Sequence, residues 1–213
     1  MARAKRDTKS RLLDAGLALA REKSFGAVSV REVCRRAAVN LGLFHYNFKN
    51  RETFRRCMLE AGYLRFFADL ALSSDESGRP PEKLRRALGV IARFSREHRR
   101  MLAGIFRDAL NGDRQIATFA AKSFHHHLPL VFGLYRDGVE AGDFRKISEP
   151  TLLAFLLGVI NAPGLMLTLF EEHGARRPLG RERAAIEAQL LSEWTVEERL
   201  DLVMAALAAP RKV

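Results

Sequence analysis

Apolar residues along this chain recur at helical spacing, and few segments alternate as strands do. The first piece covers residues 8–23, with Leu13, Leu17 and Ala20 on one stripe, Phe25 just beyond, and Gly26 to close it. Ser29 opens the next, with Glu32 at the spacing of a capping box. Val30, Val33, Cys34 and Ala37 then form a single apolar face. Ala38-Val39-Asn40 predicts a short break, followed by a brief helix over 41–47. Asn50 is placed to cap a fourth helix over 51–73 that carries Phe54, Met58, Leu64 and Phe67.

A polar, Gly- and Pro-containing linker spans 73–81. Helices are expected beyond it at 81–97, 99–111 and 114–140, the last ended by Gly142-Asp143. A helix over 148–172 is apolar through Leu152, Phe155, Leu156, Val159 and Ile160, and two shorter ones follow at 180–191 and 195–208. Thr195 and Glu198 give the last one a capping box. The pattern is all-α, with a small three-helix domain over 1–55 and a larger helical domain over 56–213.

Composition changes this picture mainly through charge. The chain of 213 residues carries a formal net charge of +11, of which residues 1–60 hold +8 and the remainder only +3. That asymmetry suits an N-terminal region facing a polyanion. No run approaches the roughly 18 apolar residues of a membrane span. The charged start MARAKRDTKSR lacks the apolar core of a secretion signal, so a cytoplasmic, nucleoid-associated location and no membrane partner are expected. Cys34 and Cys57 read as free thiols.

Residues 29–48, SVREVCRRAAVNLGLFHYNF, carry the chemistry. Two short helices joined by a three-residue break place the second across the first, the geometry that sends a helix into a major groove. Phe44 and Phe48, four apart, anchor one face, leaving Asn40, Leu41, Leu43, His45 and Tyr46 near the other. Asn reads an adenine edge and an apolar side chain meets a thymine methyl. Tyr and His suit phosphate or base contacts. Arg35 and Arg36 read as a solvated helix face.

This stretch, continued through Lys49-Asn50-Arg51-Glu52-Thr53-Phe54, resembles the TetR (tetracycline-repressor-like) family over residues 8–56, with Val39, Asn40, Gly42, Phe44, Tyr46, Phe48 and Glu52 in register. Further on, the resemblance rests on helix layout and on GVEAGDFR at 138–145. It implies a helix-turn-helix DNA-binding domain joined to a helical domain that dimerises and encloses a ligand. Ser29 and Arg31 would meet phosphate, Asn40, Leu41 and Leu43 would approach base edges, and His45 and Tyr46 would sit on backbone or bases. Lys49 and Arg51 would hold phosphates, and an arm of Arg3, Lys5 and Arg6 would follow the duplex. Four residues depart from the family pattern: Arg51 stands where Lys is usual, Ala38 replaces a turn Gly, and Leu41 and Leu43 replace polar residues.

The expected partners are therefore palindromic or near-palindromic double-stranded operator DNA, a second copy of the chain, and a small-molecule effector. One short reading helix makes few contacts, so two copies on half-sites are needed. Helices 148–172 and 195–208 are the expected dimer surfaces, with Gly158 permitting close approach. Candidate effector-lining residues are Phe94, Met101, Phe106, Phe119, Phe124, Phe132, Asn161 and Met166, and Pro163 is expected to kink its helix. His125, His126 and His127 are successive on a helix and point about 100° apart, so they cannot converge on one ion. No metal or other cofactor is expected. Walker, Rossmann, HExxH and GxSxG motifs are lacking, so no catalytic residue is expected. A ligand-responsive repressor is the leading expectation, with a ligand-free architectural DNA binder and then a helical enzyme behind it.

Overall fold

The computed structural model describes residues 2–22 and 25–210, without the side chains of residues 2–6 and 25. The side chains of Arg3, Lys5, Arg6 and Phe25, and Lys23 entirely, lie outside the described residues. The elements are α1 (Ala2–Glu22), a 3-10 turn (Phe25–Ala27), α2 (Val30–Ala37), α3 (Leu41–Phe48), α4 (Arg51–Asp75), α5 (Pro80–Glu97), α6 (Arg99–Leu110) and α7 (Arg114–Glu140). They continue with α8 (Glu149–Leu156), a π turn (Leu157–Asn161), α9 (Ala162–Glu172), a 3-10 turn (Pro178–Gly180), α10 (Arg183–Leu191) and α11 (Glu193–Leu207). The chain is all-α: its described residues contain no strand beyond one isolated bridge between Phe144 and Ala208. Two compact units result: residues 1–65 with 100–120, and residues 66–99 with 121–213.

In the first unit α1, α2 and α3 pack on one another. Burial on α1 falls on Leu12, Ala15, Leu17, Leu19 and Ala20, whereas Leu13 is only half-buried. The buried stripe therefore begins one residue before the expected one, while Leu17 and Ala20 are buried as expected. Gly16 explains the shift, because a Cβ there would stand 2.6 Å from both Met58 Sδ and Phe54 Cζ of α4. Small residues let α1 approach α4 closely, and such residues give little hydrophobic signal. Phe44, Phe48 and Phe54 fill the centre, with ring centroids 5.0–5.5 Å apart and each ring almost fully buried.

In the second unit α5 lies against α11, and α10 against both α9 and α11. The segment after α7 is tied down by Phe144. Its ring covers Gly138, where a Cβ would sit 2.2 Å from it. The Tyr135 ring stacks on Phe144 at 6.0 Å, and its hydroxyl donates to the Arg145 carbonyl (2.7 Å) and accepts from the Ile147 N–H (2.8 Å). Arg145 N–H donates to Leu207 O, and Ala209 N–H to Asp143 O, both at 2.9 Å, fastening the end of α11 to this turn.

Three expectations are corrected here. The last helix begins at Glu193, where Ser192 is the cap and its Oγ accepts from Thr195 N–H at 3.1 Å, so Thr195 is inside the helix. α10 begins at Arg183, because Leu179 (φ 56°) and Gly180 (φ 73°) take left-handed backbone that ends the 3-10 turn. Glu149–Glu172 is also long and apolar enough, by length and composition alone, to cross a membrane, with a mean hydropathy of 2.1 over 18 residues. Thr151, Asn161 and Pro163 break the run without adding charge. The break expected at Pro163 appears as the preceding π turn, where Ala162 N–H reaches back five residues to Leu157 O.

Candidate nucleic-acid interface

The helix-turn-helix is defined by its caps. At the start of α2, Ser29 Oγ accepts from Glu32 N–H at 3.3 Å and donates to Glu32 Oε2 at 2.7 Å, while Ser29 N–H donates to that oxygen at 3.3 Å. The expected capping box is present, and it engages the Ser29 hydroxyl with protein. At the other end Ala38 is left-handed (φ 51°, ψ 49°). Val39 N–H donates to Cys34 O (2.9 Å) and Ala38 N–H to Arg35 O (3.2 Å), the pair of bonds of a Schellman ending. Burial pushes the Cys34 thiol up from its ordinary range, and the cysteine packs here as a small apolar side chain.

Asn40 caps α3, its Oδ1 accepting from Leu43 N–H at 2.8 Å. Phe44 and Phe48 point inward, so the opposite face is presented: Leu41 is 47% exposed, Leu43 43% and Tyr46 67%, with Asn40, Gly42 and His45 also exposed. The His45 Nδ1 donates to Lys49 O at 3.1 Å, which leaves Nε2 as an acceptor in the neutral ring. Lys49 ends the helix with φ 59°, and Asn50 Oδ1 accepts from Thr53 N–H at 2.8 Å to cap α4. The face is thus apolar at its centre and hydrogen-bonding at its edges.

Around it the cations differ in commitment. Arg31, Lys49, Arg35 and Arg36 are exposed, and Arg36 pairs with Glu22 at 2.7 Å. Arg51 instead donates to the carbonyls of Gly26 (2.5 Å) and Val28 (3.3 Å), securing the turn before α2. Arg11 was not among the residues singled out from sequence, yet it donates to Ala37 O (2.5 Å) and Ala38 O (3.3 Å). Its targets are 26 and 27 residues away, beyond any local pattern.

The candidate effector residues are spread over both units. Met101 (buried), Phe106 and Phe119 belong to the first, where Phe119 meets Tyr63 edge-on at 6.2 Å and burial raises the Tyr63 hydroxyl to about 12. Phe94, Phe124, Phe132, Asn161 and Met166 belong to the second. There Phe94 stacks on the buried His98 at 4.2 Å and meets Phe66 in a tilted contact at 4.5 Å, and His127 stands between Phe66 (5.7 Å) and Phe124 (5.4 Å). His125 and His126 are exposed, and the His126 Nδ1 donates to Lys122 O at 2.7 Å.

Residues 12–66 match the profile described as bacterial regulatory proteins, tetR family. No curated protein matches the chain. Among solved structures, a transcriptional regulator from Rhodococcus sp. Rha1 is similar with a TM-score of 0.69 at 19% identity, covering 93% of this chain and 95% of that one. A TetR transcriptional regulator from Streptomyces coelicolor gives 0.59 at 18%, covering 94% and 98%. The regulator FadR from Bacillus subtilis, solved in complex with stearoyl-CoA, gives 0.64 at 14%, covering 93% and 98%. At such identities the structures speak for the fold, and the profile match speaks for the N-terminal domain. Residues 12–66 are a helix-turn-helix domain of the tetR family of bacterial regulatory proteins, and the chain as a whole has the fold of TetR-family transcriptional regulators.

Proposed function

We propose that the chain is a cytoplasmic, dimeric transcriptional repressor that a small molecule releases from its operator. The observation that carries this reading is the exposed face of α3, whose Leu41, Leu43, His45 and Tyr46 stand out from a helix anchored by buried Phe44 and Phe48. Large apolar side chains held outward on a rigid element fit a groove better than they fit water. In this reading residues 1–55 read DNA and 56–213 dimerise and bind the effector. Leu41, Leu43 and Asn40 meet bases, and His45 and Tyr46 meet bases or backbone. Ser29, Arg31, Lys49 and Arg51 line the phosphate strand with the Arg3, Lys5 and Arg6 arm. Since Ser29 and Arg51 are bonded within the protein, their part is chiefly to shape the surface, and Arg31 and Lys49 carry the charge.

Dimerisation is supported by the 149–172 segment, of whose most apolar 18 residues only 33% are buried within the chain. Ala154, Gly158 and Ala162 are exposed at four-residue intervals on it, and Leu169 is 53% exposed. Trp194 and Leu202 on α11 are 71% and 63% exposed. An apolar surface of this extent on a charged chain calls for a protein partner, and a second copy supplies one. The effector is proposed to meet residues drawn from Phe94, Met101, Phe106, Phe119, Phe124, Phe132, Asn161 and Met166, and the acyl-CoA of the Bacillus regulator gives a precedent for small-molecule binding in this fold.

Selection of duplexes from a random-sequence pool, followed by hydroxyl-radical footprinting, tests the proposal. Two protected half-sites about one helical turn (34–36 Å) apart, or that spacing after DNA distortion, are expected. Failure to enrich any sequence would refute it.

A further inference from the structure

The turn between α2 and α3 contains a conflict and its resolution. Ala38 holds a left-handed conformation that L-residues other than glycine rarely adopt, and here no glycine relieves it. Of the last carbonyls of α2, those of Cys34 and Arg35 are taken by the turn's own N–H groups. The Ala37 carbonyl lies on a buried residue beyond their reach, and Arg11 Nη2 of α1 donates to it at 2.5 Å and to the Ala38 carbonyl at 3.3 Å. The guanidinium thus brackets the left-handed residue from both sides of its peptide frame. A positive charge at this point also suits the negative end of the α2 dipole.

We propose that Arg11 is a positioning residue for DNA reading, which locks the non-glycine turn at Ala38 and so fixes how α3 is presented beyond it. The proposal rests on the DNA-reading function given above. Asn40, which caps α3, is only two residues past Ala38, so a change in the Ala38 backbone angles swings the whole reading helix. Arg11 is exposed, so a direct phosphate contact is the competing role, and the two roles leave different signatures.

Four proteins decide it: wild type, Arg11→Met, Ala38→Gly and the double variant, each measured by thermal unfolding without DNA and by titration of a duplex that the wild type selects. Arg11→Met is expected to lower the melting temperature and to weaken duplex affinity about tenfold, the factor that follows from losing charge-assisted hydrogen bonds worth about 1.4 kcal/mol. The slope of log affinity against log salt should not change, because no phosphate contact is lost. In the Ala38→Gly background, where the turn holds itself, the same substitution should cost no more than about threefold in affinity. Arg11→Lys, keeping the charge without the fork, falls between, and carries the comparison should Arg11→Met not fold. A slope shallower by about 0.9 would identify a phosphate contact and overturn the proposal. So would equal losses in both backgrounds. If the wild type selects no duplex, the DNA-reading function fails separately, and the thermal cycle still tests the lock, with zero coupling between Arg11 and Ala38 overturning it.

Discussion

Leu41 and Leu43 give the proposed reading face a character that hydrogen-bond codes do not describe. Both are large, apolar and nearly half exposed on a helix whose polar cap residue, Asn40, already spends its Oδ1 on the backbone. Contact with thymine methyls and response to DNA shape should therefore dominate its preference. Replacing each leucine by Ala is expected to relax preference at one position of the half-site by about 1–3 kcal/mol per base pair, read by competition between single-base variants of the selected duplex. Unchanged preference in both variants would count against apolar readout. At the same scale, burial lowers the His127 imidazole below its ordinary 6.5, outweighing a hydrogen bond from the ring to the Ser123 backbone that raises it. The unfolded chain then binds a proton at higher pH than the folded one. Stability is full above about 6.5, falls as the pH drops below it, and levels off beneath the folded value. Melting curves between about pH 5 and 8 should show this loss, and His127→Gln should flatten it. The anchors Phe44 and Phe48 were legible from their four-residue spacing. The roles of Arg11 and Arg51 were not, since each bond spans more than twenty residues and depends on how helices cross.

Among the elements, periodicity and caps located the helices well. The capping box at Ser29 and the Asn50 cap of α4 stand as read, because a short polar side chain beside a free N–H is a local event. The start of α11 was misread because Ser192, Thr195 and Glu198 offer two overlapping capping patterns three residues apart, and the extended backbone at Ser192 takes the cap. The approach of α1 to α4 at Gly16 was invisible in the sequence, since a helical glycine reads only as a weak position. Gly16→Ala should lower stability by about 1–3 kcal/mol despite better helix propensity, because its Cβ would press on Phe54, itself held by Phe44 and Phe48. A raised melting temperature for that variant would show that the contact yields. Ala38→Gly should move stability the other way by about 1 kcal/mol, since a left-handed residue loses its Cβ penalty.

For the molecule as a whole, the proposed function gives the basic excess of residues 1–60 to DNA and the apolar segment at 149–172 to assembly. The single tryptophan, Trp194, is exposed on α11 and reports directly on assembly. Its emission should shift to the blue with rising protein concentration as subunits associate, and Leu202→Glu should abolish the shift and yield monomers in sedimentation. The effector is the part least legible at this scale: aromatic residues that fill a core and those that line a ligand share one pattern, and helical spacing does not separate them. The central claim, that α3 reads DNA, is tested most directly by titrating the selected duplex and a scrambled one across salt concentrations, with wild type and a Leu41→Ala/Leu43→Ala/Tyr46→Ala variant. The account predicts a steep fall of affinity with salt, a preference of about 10³ or more for the selected duplex, and loss of that preference in the variant at an unchanged melting temperature. Equal affinity of the wild type for both duplexes, or binding indifferent to salt, would contradict it.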